Sequence, residues 1–166
     1  MNDATPSLFE PDALPEEAAD PIARVSAKYK LFHAGDYSAG RAQRILTLLG
    51  RMRAHGQNID EALHYAAGTH NIDSVTDLVL RGDAVFWDLG DSFMITEVVN
   101  YPTARHFHIF LAGGNLETLV NMHGDVIKLA KALQCDKLTI AGRPGWARAL
   151  KAHGWNPHLV TLAKEI

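Results

Sequence analysis

His106 and His108 stand two residues apart in Arg105-His106-Phe107-His108-Ile109, a run with the alternation of a strand. Side chains at that spacing leave one face of a sheet together, which suits a pair of metal ligands or a proton relay. No acidic partner motif accompanies them, so a polar-face or interface role is the stronger reading and no metal is assigned. Arg143 and Arg148 bracket Trp146 where Pro144 fits the first turn of a helix. The amides opening that helix, with the two guanidinium groups, make a candidate anion site; exposed charges around an anchoring tryptophan are the alternative. Trp87, Trp146 and Trp155 are most simply core anchors. Cys135 is the single cysteine, which excludes an internal disulfide and a multi-thiolate zinc site. In apolar, helix-patterned surroundings it reads as a buried structural thiol rather than a nucleophile.

The elements that must position these groups follow from charge and periodicity. Before Arg24 the charged residues are all acidic, and Pro6, Pro11, Pro15 and Pro21 prevent a long helix, so an extended arm is expected. From Arg24 to Arg53 seven basic residues face only Asp36. Ile45, Leu46, Leu49 and Met52 recur there at helical spacing, predicting an amphipathic helix over Arg41 to Ala54, closed by His55-Gly56. An acidic arm beside a basic helix is either a solvated tail and helix face or a docking device for a neighbouring subunit. Seven basic residues without stacking aromatics make a poor nucleic-acid footprint. No apolar run approaches a membrane span, and no basic-apolar signal peptide opens the chain, so secretion by that route is not expected.

From Asn58 onward the pattern is denser. Asn58 and Glu61 form a predicted capping box for a helix ending near Gly68. Asp73 or Ser74 opens a second helix, closed by Gly82. Ala84 to Trp87, Phe93 to Val99 and Arg105 to Leu111 read as strands joined by turns at Asp88-Leu89-Gly90-Asp91 and Asn100-Tyr101-Pro102-Thr103. Gly113-Gly114-Asn115 leads into one long helix with a stripe of Leu116, Leu119, Val120, Val126, Ile127, Ala130 and Leu133. Lys137 to Ala141 is a strand, Pro144 to His153 a helix, and Leu159 to Ala163 a final strand. Hairpins followed by helical crossovers imply an α/β (α+β) fold, a mixed, mostly antiparallel sheet flanked by helices. The expected organisation is an acidic arm and basic helix over residues 1–57, then a compact domain over 58–166.

Several segments carry a resemblance. They are Tyr65-Ala66-Ala67-Gly68-Thr69-His70, Ile95-Thr96-Glu97-Val98-Val99-Asn100-Tyr101-Pro102, Leu111-Ala112-Gly113-Gly114-Asn115-Leu116, and Ala141-Gly142-Arg143-Pro144-Gly145-Trp146-Ala147-Arg148-Ala149-Leu150. With Gly154-Trp155 and Leu162-Ala163-Lys164-Glu165-Ile166, they resemble the acetyltransferase-like (GNAT-like) proteins of tailed bacteriophages and prophages. The likeness begins at Asn58 and leaves the first 57 residues unexplained.

The resemblance implies that Ala112, Gly113, Gly114 and Asn115 occupy the loop that cradles the pyrophosphate of acetyl-CoA in active members, with Arg143 and Arg148 as further phosphate contacts. The usual Gln/Arg-x-x-Gly-x-Gly spacing is absent and Glu117 lies in the first helical turn, so a plain strand-to-helix turn is the favoured reading of these glycines. By the same resemblance Glu97 would be the general base. No Tyr occurs between Pro144 and His153 to act as the acid, which leaves His153 in that place. The expectation is therefore a virion or morphogenesis component with a degenerate CoA cleft and no required cofactor. Its partners would be phage structural proteins or a second copy engaged through residues 1–57, in the virion or the host cytoplasm. An acetyl-CoA-dependent N-acetyltransferase of unknown amine substrate is the alternative.

Overall fold

The computed structural model describes residues 39–166. The acidic arm and the basic residues Arg24, Lys28 and Lys30 lie outside them. The described chain is an α/β unit whose elements run α1 (Ala39–Ala54), α2 (Gly56–Leu63), α3 (Ile72–Arg81), β1 (Ala84–Asp88), β2 (Phe93–Asn100) and β3 (Arg105–Gly113). There follow α4 (Leu116–Asn121), α5 (His123–Ala132), β4 (Lys137–Ile140), α6 (Pro144–Leu150) and a 3-10 turn (Lys151–His153). No helix among the described residues is long and apolar enough to cross a membrane.

The four strands form one mixed sheet in the order β1-β2-β3-β4. The first two pairings are antiparallel, and β4 joins β3 in parallel. Strand alternation sends successive residues to opposite faces, so Phe93 and Ile95 join one core cluster and Met94 the other. The first cluster is covered by α1, α2 and α3, through Leu49, Met52, Ile59, Leu63, Val75 and Val79. The second is covered by α4 and α5, through Leu119, Val126 and Ala130, with Trp87, Trp146 and Trp155 packed at its margin. Leu49 and Met52, from the basic helix, thus bury in the same core as Ile59 and Leu63.

Local chemistry explains most boundaries. Asn71 caps α3 and exchanges reciprocal hydrogen bonds with Ser74, and Gly82 ends the helix at φ 80°. The β1–β2 turn is held by the Gly90 amide donating to Asp88 and the Leu89 amide donating to the Ser92 carbonyl.

Five expectations are corrected. His55-Gly56 does not close α1 with a left-handed glycine. His55 has φ −95° and ψ 7°, and Gly56 begins α2 after that single-residue break. Asn58 is therefore inside a helix rather than capping one, and Glu61 accepts instead from Gln57. The long helix after Asn115 divides at Met122, whose carbonyl accepts from both Asp125 and Val126. That break re-phases the stripe and leaves Leu116 and Ile127 each 41% exposed. Cys135 lies in the loop after α5, partly buried rather than on a helix, and burial pushes its thiol up. Finally, Leu159 to Ala163 forms no strand: the segment is irregular, with Leu159, Val160 and Leu162 at least 83% exposed.

The break at His55 is stitched to the sheet. The buried His55 ring donates from Nε2 to Asp88 Oδ1 at 3.1 Å, lies edge-on to Phe86, and Arg51 Nε approaches the other carboxylate oxygen at 3.7 Å. The His55 hydrogen bond, against the opposing effect of desolvation, holds the Asp88 carboxyl below the ordinary carboxylate value, aided by the Gly90 amide and Arg51. A depressed carboxylate contributes stability that is present above its unfolded value and lost as pH falls through its folded value. Asp88→Ala should therefore destabilise the fold by about 1–2 kcal/mol near neutrality, since it orphans a buried imidazole donor. In thermal melts the gap from the parent should narrow toward acid; a gap constant from pH 7 downward would remove Asp88 from this role.

Candidate functional site

β3 runs for nine residues but pairs with β4 over only four, from His106↔Lys137 to Ile109↔Ile140. Between β2 and β3 the register steps from Thr96↔Ile109 to Ile95↔Leu111, so Phe110 is the extra residue of a β-bulge. A bulge bends its strand and breaks the alternation. Ile109 and Leu111, two residues apart, consequently lie in opposite core clusters. Beyond Ile109 the two parallel strands separate, and a cleft of about 620 Å³ opens between them beneath α2. Crevices at the carboxyl ends of parallel strands are where ligands commonly sit in such sheets. One wall is Phe110 to Gly114, the other Ile140 to Arg143 with Trp146, and Tyr65 stands on the α2 side. Arg143 crosses the mouth, its guanidinium 4.2 Å from the Tyr65 ring centroid.

Ala112, Gly113, Gly114 and Arg143 line this cleft, whereas Glu97, Asn115, Arg148 and His153 do not. The two glycines have packing reasons. A side chain at Gly113 would come 2.7 Å from the Phe93 ring and 3.4 Å from the Asn58 carbonyl, because α2 passes close over the end of β3. Gly114 has φ 104°, and a Cβ there would lie 2.6 Å from Ser92 Cα.

The loop amides are also engaged. Asn115 N donates to Ser92 Oγ at 2.8 Å, while the Asn115 side chain accepts from Glu117 N at 2.8 Å and Thr118 N at 3.2 Å. A pyrophosphate drawing on these three amides would have to displace their protein partners. Glu117 in the same turn adds a negative charge that opposes an anion there.

Glu97 and His153 fall on opposite sides of the sheet. Glu97 pairs with Ala84 and His108 on the face carrying α1 to α3. Burial pushes its carboxyl up, opposed by His70. His153 is exposed and influences His123, which packs against Trp155 on the other face. His106 and His108 do share a face. Burial lowers His108, with His106 adding to the effect, and His108 Nδ1 shares a hydrogen bond of 2.9 Å with Thr139 Oγ1. His70 lies 5.2 Å from Phe110, between this polar patch and the cleft. Among the described residues no group of three or more His, Cys, Asp or Glu side chains is placed to hold a metal ion.

Phe110, Tyr65 and Ser92 had no signal of their own in the sequence. An unpaired bulge residue, an exposed tyrosine and a buried serine are ordinary residues until the sheet brings them to one place.

No protein-family profile and no curated protein matches the chain. Among solved structures, a crystal structure of a point mutant of TTHA1254 from Thermus thermophilus is 19% identical with TM-score 0.46, spanning 65% of this chain and 89% of that one. The wild-type TTHA1254 structure from the same organism is 20% identical with TM-score 0.44, spanning 61% and 85% respectively.

The packing account of the loop makes a direct prediction. Gly114→Ala should destabilise the protein by about 1–3 kcal/mol through its positive φ and the contact with Ser92. A chemical-denaturation midpoint equal to that of the parent would show that the loop relaxes and that the glycine serves something other than packing.

Proposed function

We propose that this chain is a GNAT-like scaffold of the tailed-phage kind, working as a virion or morphogenesis component with a cleft that is degenerate as a CoA site. The carrying observation is the engagement of the Asn115, Glu117 and Thr118 amides by Ser92 and Asn115. Electrostatic binding of a pyrophosphate depends on preorganised, unsatisfied donors, and here these three would first have to be freed. The virion role draws on the motif resemblance from Asn58 onward. It also draws on the acidic and then basic first 57 residues, which suit docking to phage structural proteins or to a second copy.

An acetyl-CoA-dependent N-acetyltransferase is the second reading, favoured by one observation: the half-buried Glu97 carboxyl is raised, in the direction a general base working near neutrality needs. Its separation from His153 by the sheet speaks against those two residues acting as one acid–base pair.

Calorimetric titration with acetyl-CoA separates the readings. The expected result is no saturable heat at micromolar ligand. Micromolar binding weakened by Arg143→Ala would overturn the degenerate cleft, and turnover then falling on the order of 10²-fold in Glu97→Gln would establish the enzyme. Gly113 is a poor probe, because any side chain there meets Phe93 first.

Removing residues 1–21 should lower incorporation into assembled particles while leaving the melting temperature unchanged. Undiminished incorporation would reduce the arm to a solvated tail.

A further inference from the structure

Among the described residues the sheet ends on β4, four residues long and hydrogen-bonded only on its β3 side. Its outward backbone groups form an open edge, a ready template for another strand. The same chain holds an unused strand. Leu159, Val160 and Leu162 are 83%, 85% and 90% exposed, in a segment whose alternation and β-branched content suit a sheet.

The two segments match residue by residue. Leu138-Thr139-Ile140 and Val160-Thr161-Leu162 share one pattern of apolar, threonine, apolar. On β4 the apolar pair packs into the cluster beneath α5 and α6, and Thr139 faces the other way, bonded to His108. A strand laid beside β4 with Val160 and Leu162 on the apolar face would extend that cluster. It would also bring Thr161 next to Thr139, a favourable cross-strand pair.

The tail leaves the body close to this edge but does not occupy it. Trp155 anchors against His123 at 5.4 Å, and His158 passes 6.3 Å from His106, the register partner of Lys137 at the start of β4. Between them lie Asn156 and Pro157. Proline fixes its own φ and disfavours helical backbone before it, so this hinge is short, stiff and extended. Short stiff hinges favour exchange of an element between copies, and an isologous pair satisfies two open edges at once.

We propose that residues 159–163 add as a strand to the β4 edge of a second copy of this chain, reciprocally, giving a strand-exchanged dimer. The partner is defined by complementarity: each copy carries both the free edge and the free strand that fits it. This contact is independent of the first 57 residues and of any CoA chemistry.

Light scattering on the full chain at micromolar concentration should report a dimer. Val160→Asp with Leu162→Asp places two charges on the apolar face. It should weaken the dimer by about 100-fold or more, each buried leucine-sized side chain being worth about a tenfold change or more. Both positions are exposed in the single chain, so folding and circular dichroism should be unchanged. Hydrogen exchange should show the outward amides of Lys137–Ile140 protected in the parent and unprotected in the double variant. A parent that is monomeric would overturn the proposal, as would a dimer that survives the two aspartates. So would protection of those amides in a monomer, which would mean the strand pairs within its own chain.

Discussion

The unequal lengths of β3 and β4 control the rest of the molecule. β3 is held along most of its length by antiparallel bonds to β2, but β4 accompanies it only to Ile109. Past that point the Phe110 bulge turns β3, the strands diverge, and the cleft, its two glycines and the Arg143–Tyr65 contact all occupy the space that results. β4 is also the edge strand of the sheet among the described residues. It thus borders both surfaces on which a functional argument can be built.

The loop between β3 and α4 is where a scaffold and a working anion site would differ. A glycine-rich turn opening a helix looks the same in either case, because both need close backbone approach and a left-handed residue. What differs is where the amides point their hydrogen atoms. Here Ser92 and Asn115 take up the amides of Asn115, Glu117 and Thr118, joining the β1–β2 turn to α4. Raised Glu97, lowered His108 and nearby His70 form a polar patch beside the cleft rather than within it. Perturbed ionisable groups of this kind arise from desolvation in structural settings as well as catalytic ones.

Each face of the sheet carries its own polar pair in addition to bulk burial. His55 and Asp88 tie the α1–α2 break to the end of β1, and Trp87 donates to Thr96 Oγ1 at 2.9 Å from the opposite face of the sheet. Each satisfies a polar group that would otherwise cost free energy inside a half-buried strand. The α1–α2 break therefore has a defined position even though neither a proline nor a left-handed glycine marks it.

Local periodicity was sufficient to order strands β1 to β4, and to give the turns at Gly90 and Tyr101, the Gly82 cap and the shared face of His106 and His108, because these depend on neighbours a few residues away. Four features depend on distant partners and were decided only by tertiary structure. The Met122 break lets Leu119 of α4 and Val126 and Ala130 of α5 share one core cluster. The Phe110 bulge follows from β2 register, and the true start of α2 from His55 finding Asp88. The meaning of Gly113 and Gly114 required Phe93 and Ser92 to arrive from another strand and turn. The segment from Leu159 to Ala163 carries a strand's pattern without a strand's partner. Alternation can specify a surface that fits a sheet edge, but only another backbone can supply the hydrogen bonds that make it a strand.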